Sequence, residues 1–455
     1  MKRIFIRRTT IPASVQTLYD WHMREGAFER LTPPWEHVRM KCKDPTIENG
    51  SRVSLEIDAG PTKVNWLAEH RDVQPGKEFT DVQVRGPFKF WKHKHIFEKT
   101  NDGCLLTDSI QFELPFDVAT IFSDTFIKDK LERMFQYRHE MTKNDIDVFC
   151  KHSNVKPMKV LVTGSSGLVG TNLVPFLQTQ GHDVYTLTRP ESSKHSNLTW
   201  NPEKEQINSG DLEGFDAVIH LAGENIADGM WTNDKKRRLV ESRINSTRLL
   251  VDALLKLEKP PSVFVCASAI GFYGNRNNEI LSENSDVGKG FLADLCAKWE
   301  FEAARVQQKN IRPVMLRIGV VLTPSGGMLQ KILPQFQLGG GGPIGSGNQY
   351  ISWISIDDLV SAIYHCICTK EISGAVNATS PESCTNSEFT KSLGNVLHRP
   401  AIFPVPEIAL KLAFGEMAEE TMLASCRVEP MKLKDSGYKF LYPKLEAALK
   451  HVLGK

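Results

Sequence analysis

A glycine-rich turn between an apolar strand and a helix is the feature that most restricts the fold of this chain. Lys159–Thr163 has the pattern of a buried strand, and a helical pattern runs over Leu168–Thr179. Gly164, Gly167 and Gly170 occupy the turn at three-residue steps. The first glycine permits a tight turn, the second lets a ligand approach the backbone, and the third lets helix and strand pack closely. A strand, such a turn and a helix in succession are typical of the start of a doubly wound α/β sheet.

The sequence that follows alternates short apolar strands with helical patterns. Further strands are predicted at Asp183–Thr188, Ala217–Leu221, Val263–Ala267 and Val314–Ile318. Strands that are apolar throughout fit a parallel sheet covered on both faces. We therefore predict a Rossmann-type α/β domain over residues 158–455, in which residues from about 380 to 455 form a C-terminal capping and substrate lobe.

Residues 1–150 have a different composition and a different pattern. They carry 12 of the 23 Phe and 4 of the 8 Trp residues. Short aromatic and β-branched segments separated by turns predict an antiparallel meander with strands at Arg52–Asp58, Val64–His70, Glu78–Arg85, Phe88–Glu98 and Cys104–Glu113. After Pro115, apolar residues at helical steps predict one long amphipathic helix: Ala119, Ile121, Phe122, Phe126, Ile127, Leu131, Met134 and Phe135. This is an α+β domain, and the polar segment 151–157 is predicted to be a linker.

The balance of charge and the spread of apolar residues exclude several functional classes. The chain has 56 Lys+Arg against 54 Asp+Glu, a formal net charge of +2, so it has no electrostatic footprint for nucleic acid. No apolar run approaches the roughly 18 residues of a membrane span, and the first residues lack the apolar centre of a signal peptide. Because the nine cysteines are scattered, we interpret them as reduced thiols and expect a cytoplasmic protein.

The sequence offers few candidate metal ligands. Cys366 and Cys368 form a C-x-C pair without a second pair or a nearby histidine, which is not the spacing of a zinc site. His93 and His95 alternate along a predicted strand and so share one face, but no third ligand lies nearby in the sequence. We therefore predict no metal site.

The ends of the predicted parallel strands indicate a dinucleotide site. Unpaired N–H groups at the start of the first helix are positioned to bind a diphosphate, so the turn is predicted to hold the cofactor: Gly164, Ser165, Ser166, Gly167, Leu168, Val169 and Gly170. Thr188 and Arg189 end the next strand, where an NAD site would carry Asp or Glu. A guanidinium beside a hydroxyl suits a 2′-phosphate, so we predict NADP in preference to NAD; the alternative is that Arg189 only ends a strand at the surface. Small residues at the end of the third strand leave room for the nucleotide: Leu221, Ala222 and Gly223.

These residues resemble an extended short-chain dehydrogenase/reductase over roughly residues 158–455. More narrowly, the chain is similar to the atypical epimerase-family branch, the NAD-dependent epimerase/dehydratase-like proteins with an extra C-terminal segment. The motifs that carry this likeness are Ala222-Gly223-Glu224-Asn225-Ile226, Ser242-Arg243, Lys298-Trp299-Glu300 and the glycine-rich residues 340–347. Residues 1–150 resemble the START-like, helix-grip fold of polyketide cyclases and lipid-transfer proteins, with Ala27–Trp35 as the characteristic segment.

The resemblance implies catalysis by Ser, Tyr and Lys, with the last two spaced Tyr-x-x-x-Lys. Ser268 matches the serine and Lys298 matches the lysine, but Asp294 stands where the tyrosine is expected. Since an ionised carboxylate cannot donate the proton of a phenol, Tyr273 is the candidate to replace it. The alternative is that Tyr273 only packs beside the cofactor. The resemblance also implies cofactor contacts from Arg238, Arg243 and Glu300, against the alternative of a solvated run of charges.

Two classes of function follow from these predictions. The first is an NADP-dependent oxidoreductase or epimerase that acts on a small-molecule or nucleotide-linked substrate. The second is a non-catalytic NADP(H)-binding sensor with a hydrophobic-ligand module in front. In that module the surplus aromatic side chains either line a cavity for an apolar ligand or fill the core: Trp21, Trp35, Trp66, Phe88, Phe90 and Trp91.

Overall fold

The structure is a computed structural model that describes residues 2–59, 62–114, 124–192 and 198–455. Within them the backbone divides into two compact units. The first is built mainly from the residues up to Asn154, and the second mainly from Val155–Leu177 and His182–Leu453. No helix in the described ranges combines the length and the apolar character needed to cross a membrane.

The described strands of the first unit form one antiparallel sheet in the order β1-β7-β6-β5-β4-β3-β2. Its strands are β1 (Arg3–Ile11), β2 (Val38–Lys43), β3 (Arg52–Ala59), β4 (Thr62–Gln74), β5 (Glu78–Arg85), β6 (Phe90–Thr100) and β7 (Gly103–Glu113). Its helices are α1 (Val15–Met23), α2 (Ala27–Leu31) and α3 (Asp124–Lys151). The predicted meander followed by a long helix is therefore confirmed.

The long helix α3 packs its apolar side on the sheet. Leu131 and Phe135 pack with Phe5, Trp91 and Ile110 in one buried cluster. Of the residues that predicted this helix, five lie within it: Phe126, Ile127, Leu131, Met134 and Phe135. The other three, Ala119, Ile121 and Phe122, fall outside the described residues.

The second unit contains a sheet in the order β11-β10-β9-β8-β12-β13-β15-β19, parallel except where β11 pairs with β10. Its strands are β8 (Lys159–Thr163), β9 (Asp183–Thr188), β10 (Leu198–Asn201), β11 (Gln206–Ile207), β12 (Ala217–His220), β13 (Val263–Ala269), β15 (Arg312–Ile318) and β19 (Gly374–Ala378). Shorter strands pair in twos: β14 (Ile280–Leu281) with β21 (Arg427–Val428), β16 (Val320–Leu322) with β18 (Trp353–Ser355), and β17 (Tyr350–Ile351) with β20 (Cys384–Thr385).

The helices of the second unit alternate with these strands. They are α4 (Gly170–Thr179), α5 (Asn233–Val240), α6 (Ser246–Leu254), α7 (Phe291–Ala304), α8 (Gly327–Gln337), α9 (Ile356–Cys368), α10 (Asn386–Leu397), α11 (Glu407–Phe414), α12 (Met431–Asp435) and α13 (Leu445–Leu453). A π-helical turn, Glu241–Asn245, joins α5 to α6. The chain runs outward from β8 to β9 on one side and from β12 to β13 on the other. The strand order thus reverses between β8 and β12, and open α/β sheets bind ligands at the carboxyl ends of strands at such a point.

Candidate dinucleotide site

The glycine turn lies where β8 and β12 end side by side. Gly164 has φ +69°, and a Cβ atom on it would lie 2.6 Å from the carbonyl carbon of Leu221. A Cβ atom on Gly170 would lie 2.3 Å from the carbonyl oxygen of Gly164. Neither position has room for a side chain, so the backbone of the turn stays bare at the start of α4. Ser166 and Gly167 are exposed in the middle of the turn.

A buried polar network ties the two strand ends together. The Oγ1 atom of Thr163 lies 2.7 Å from Nδ1 of His220 and accepts the backbone N–H of Ala222 at 3.3 Å. The Nε2 atom of His220 lies 3.0 Å from Oγ1 of Thr247. Burial lowers the pKa of His220 to about 3, so the imidazole is neutral at physiological pH. These residues are not predictable from sequence as a network, because a polar group inside an apolar strand carries no signal of its partner.

Thr188 and Arg189 lie one strand away from the turn. Thr163 of β8 pairs with Leu187 of β9, which brings the following two residues to the same edge of the sheet. The Oγ1 atom of Thr188 is buried, with no hydrogen-bond partner among the described residues. Arg189 is exposed and has no ion pair within the described ranges of the chain. A cation that the described residues leave uncompensated is thus present at the sheet edge that carries the glycine turn.

Arg243 supports the backbone beside the turn. It is 7% exposed, and its Nη2 donates to the carbonyl oxygen of Glu224 at 2.8 Å. Its guanidinium lies against Gly223, where a Cβ atom would be 3.3 Å from Cζ, and 5.3 Å from the ring centroid of Trp299. Burial lowers its pKa. The structure therefore gives Arg243 a positioning role for residues 221–224, the segment predicted to line the nucleotide.

Arg238 is held by a neighbouring carboxylate. Its Nε lies 3.1 Å from Oε1 of Glu224, and the same oxygen accepts from Nζ of Lys235 at 2.7 Å. Arg238 is about half exposed. In this arrangement its charge is compensated within the protein, unlike that of Arg189.

Ser268 and Tyr273 belong to one buried hydrogen-bond network, in which Glu300 and Arg317 link them. The Ser268 hydroxyl donates to Oε1 of Glu300 at 2.7 Å, and Arg317 donates to both oxygens of Glu300 at 2.9 and 2.8 Å. The Tyr273 hydroxyl donates to Oδ1 of Asn377 at 2.7 Å and accepts from Arg317 at 2.9 Å. Tyr273 is fully buried, and burial raises its pKa to about 12. Its hydroxyl therefore both donates and accepts within the protein, and Glu300, which is predicted to contact the cofactor, forms an ion pair with Arg317.

Lys298 lies apart from this network. Lys298 is exposed and lines a surface groove with Ile244, Arg248, Ala297, Phe301 and Glu302. It stands two residues before Glu300 on α7, hence about 200° away around the helix axis. The structure thus does not bring Lys298 together with Ser268 and Tyr273, because helical phase directs it to the other side of the helix.

The side of α7 that faces Ser268 carries different residues. Four and eight residues before Glu300 stand Cys296 and Leu292, both buried. Cys296 lies beside Ser268, and Leu292 contacts the backbone of Gly271. The two positions with tyrosine–lysine spacing on this face thus hold a leucine and a thiol whose pKa burial raises to about 11.

Family models match both units of the chain. The model of the NAD dependent epimerase/dehydratase family matches residues 160–378, a domain of unknown function (DUF1731) matches residues 405–452, and the model of polyketide cyclase/dehydrase and lipid transport matches residues 11–135. The human epimerase family protein SDR39U1 is 34% identical over 299 residues, which are 65% of this chain and all of that protein. This chain belongs to the NAD-dependent epimerase/dehydratase family.

Two further members of the epimerase family extend the likeness. Epimerase family protein MT2273 of Mycobacterium tuberculosis is 39% identical over 290 residues, 64% of this chain and 96% of that protein. A crystal structure described as a nucleoside-diphosphate sugar epimerase from Corynebacterium glutamicum is 31% identical with a TM-score of 0.81, over 99% of this chain and 90% of that one. The human SDR39U1 structure, solved with NADPH, is 33% identical with a TM-score of 0.60, over 65% of this chain and 99% of that one.

Proposed function

We propose that the second unit binds NADP(H), with the diphosphate at the glycine turn and the 2′-phosphate at Arg189. The observation that carries the proposal is the exposed guanidinium of Arg189, which follows β9 at the sheet edge of the glycine turn and has no ion pair among the described residues. A phosphate can accept paired hydrogen bonds from such a guanidinium. The NADPH in the structure of human SDR39U1, a relative of 33% identity, supports the same assignment.

The chain's own residues hold the dinucleotide in three ways. The N–H groups of residues 168–170, which have no backbone acceptor among the described residues, bind the diphosphate at the slightly positive start of α4. Leu221, Ala222 and Gly223 provide a surface of small residues for the nucleotide, and Arg243 keeps that backbone in place through Glu224. When bound, the nicotinamide ring supplies a site for hydride transfer.

A binding role is favoured over proton-relay catalysis. The Tyr273 hydroxyl is fully buried and hydrogen bonded to Asn377 and Arg317, so it has no route to a substrate in this conformation. Lys298 lies on the outer side of α7. We therefore propose that the bound dinucleotide acts as a structural or sensory ligand, and that the first unit, which matches a lipid-transport family model, holds an apolar ligand.

Oxidoreductase or epimerase activity on a nucleotide-linked substrate is the second candidate. It is favoured by the Corynebacterium glutamicum relative, which is described as a nucleoside-diphosphate sugar epimerase and is covered over 90% of its length. In that case the proton must come from a group other than Tyr273 and Lys298.

One experiment separates these proposals. Purified protein is titrated with NADPH and with NADH under fluorescence detection, and the NADPH-loaded protein is then mixed with sugar nucleotides, ketones and aldehydes. We expect NADPH to bind at least tenfold more tightly than NADH, and the NADPH absorbance to stay constant with every substrate. Substrate-dependent loss of absorbance would establish the oxidoreductase candidate. Absence of binding by either nucleotide would refute the site itself.

A further inference from the structure

A row of ionisable side chains crosses the sheet of the first unit. In the strand register His70 of β4 lies opposite Asp81 of β5, Asp81 lies opposite His93 of β6, and His95 of β6 lies opposite Asp108 of β7. Residues directly opposite in adjacent antiparallel strands point to the same face of a sheet. Since His93 and His95 are 3% exposed, the face that carries them is the interior one. The register thus collects three imidazoles and two carboxylates in one place.

Three of these side chains converge on a common point. Oδ2 of Asp81 lies 3.3 Å from Nε2 of His95 and 3.8 Å from Nδ1 of His93. One potential ligand atom from each of the three residues lies within 4.8 Å of the others. Ligands at about 2.0–2.1 Å around a tetrahedral ion are roughly 3.3–3.4 Å apart, so one cation can reach all three with small adjustments.

Asp108 orients the two imidazoles from behind. Its Oδ1 lies 2.9 Å from Nε2 of His93 and 2.7 Å from Nδ1 of His95, the ring nitrogens that do not face Asp81. Its Oδ2 lies 2.7 Å from Nε2 of His139, which holds the carboxylate in turn. A carboxylate on the far nitrogen of a histidine fixes the tautomer in which the near nitrogen is free to bind a metal.

Short ion pairs hold the members of the cluster together. Nδ1 of His70 lies 2.6 Å from Oδ1 of Asp81, and Nδ1 of His95 lies 2.7 Å from Oδ1 of Asp108. Imidazole nitrogens and carboxylate oxygens are thus concentrated at one place inside the sheet. The side chain of Asp81 is 24% exposed, so the cluster is not sealed from solvent.

We propose that Asp81, His93 and His95 bind one divalent transition-metal ion, with His70 in reach as a further ligand and Asp108 as the positioning residue. Two imidazole nitrogens and one carboxylate oxygen suit Zn²⁺ and its neighbours in the first transition row better than Mg²⁺ or Ca²⁺. The sequence predicts no metal site because no third ligand lies near His93 and His95 along the chain; the structure brings Asp81 of the adjacent strand beside them. The proposed site is independent of the dinucleotide proposal.

A metal-free salt network is the competing explanation. In it the imidazoles and the nearby Arg138 would balance the charges of Asp81 and Asp108. The two explanations differ in a measurable way, because the network alone takes up no cation. The proposed site binds one equivalent of metal, and binding there depends on Asp81 and His95.

Cobalt titration of the full chain tests the proposal. Chelator-treated protein is titrated with Co²⁺ under visible spectroscopy and by calorimetry. We expect one equivalent to bind, with the intense visible bands of a low-coordinate nitrogen–oxygen site, and displacement by Zn²⁺. Asp81→Asn and His95→Gln should each weaken binding at least 100-fold. His37→Gln is the control, an exposed imidazole of the same unit outside the cluster, and it should bind Co²⁺ as the wild type does.

Two results would overturn the site. One is folded wild-type protein that takes up no Co²⁺ at micromolar concentration. The other is binding that is equal in the wild type, Asp81→Asn and His95→Gln. Circular dichroism establishes the fold of each variant. If either variant fails to fold, Asp81→Glu replaces it, and an unchanged cobalt spectrum in that variant counts against the proposal.

Discussion

Arg189 and Tyr273 show at the residue scale how surroundings separate ligand-binding groups from structural ones. Both are polar residues near the carboxyl edge of the parallel sheet. Arg189 is exposed and its charge is uncompensated by the described residues. Tyr273 is fully buried, with its hydroxyl bonded to Asn377 and Arg317. Arg189 can therefore bind a ligand directly, whereas the Tyr273 hydroxyl could bind one only by giving up a hydrogen bond to Asn377 or Arg317.

Replacing Arg189 should change the preference between the two coenzymes. We expect Arg189→Ala to weaken NADPH binding about 10- to 150-fold, because a hydrogen bond to a charged group contributes about 1.5–3 kcal/mol. NADH binding should change less than twofold. Arg238→Ala is the control, since Glu224 already pairs with that arginine. Equal losses for both coenzymes in fluorescence titrations would refute the 2′-phosphate assignment.

Replacing Tyr273 should affect stability and leave cofactor binding intact. Tyr273→Phe leaves Oδ1 of Asn377 without its donor inside the protein, which costs about 1–3 kcal/mol. Urea unfolding should show this loss, while the Kd for NADPH stays the same. If turnover were found with any substrate and vanished in a fully stable Tyr273→Phe protein, the structural role would be contradicted.

His220 predicts a dependence of stability on pH. Its pKa of about 3 in the folded state lies below the ordinary value of 6.5, so protonation favours the unfolded chain. The stabilisation is complete above pH 6.5 and is lost as the pH falls towards 3, by up to about 1.4 kcal/mol per pH unit. The free energy of unfolding measured in urea should therefore fall less steeply from pH 7.5 to pH 4 for His220→Gln than for the wild type. Equal slopes of unfolding free energy against pH in the two proteins would mean that His220 does not titrate in this way.

At the scale of elements, the sequence predicts what is local and misses what depends on pairing. The strand at Glu78–Arg85 and the glycine turn after β8 form as predicted, since their signals lie within a few consecutive residues. The meeting of Asp81 with His93 was not predictable, because the pattern of each strand leaves the register between strands open. The position of Lys298, apart from Ser268 and Tyr273, was not predictable for a related reason. The four-residue spacing predicts that Asp294 and Lys298 share one face of a helix, but it does not predict which face packs inward.

The turn between β8 and α4 can be tested with a pair of glycines. Gly164 has φ +69° and backbone atoms of Leu221 and Ala222 within 2.7 Å of a Cβ atom, whereas Gly437 has φ +76° and open space around it. Alanine at either site adopts an unfavourable left-handed conformation, at about 1–2 kcal/mol. Gly164→Ala must in addition displace the end of β12, so we expect its NADPH affinity to fall at least tenfold. Gly437→Ala should bind NADPH normally, and equal affinities in the two variants would contradict the close approach.

At the scale of the whole molecule, the two candidate sites belong to different units with different chemistry. Separate family models match residues 11–135 and 160–378, and each unit has its own buried apolar clusters. The dinucleotide site draws only on the second unit. The cluster of Asp81, His93 and His95 draws only on the first.

Hydrogen exchange measured by mass spectrometry can locate each ligand within the full chain. NADPH should slow exchange in peptides from residues 159–189 and 217–247, and Co²⁺ should slow exchange in peptides from residues 70–108, because a bound ligand suppresses local opening. Gly164→Ala should remove the NADPH effect and keep the Co²⁺ effect, and Asp81→Asn should do the reverse. Protection by NADPH confined to residues 70–108 would show that the dinucleotide is bound by the first unit, and the dinucleotide site proposed at the glycine turn would then be refuted.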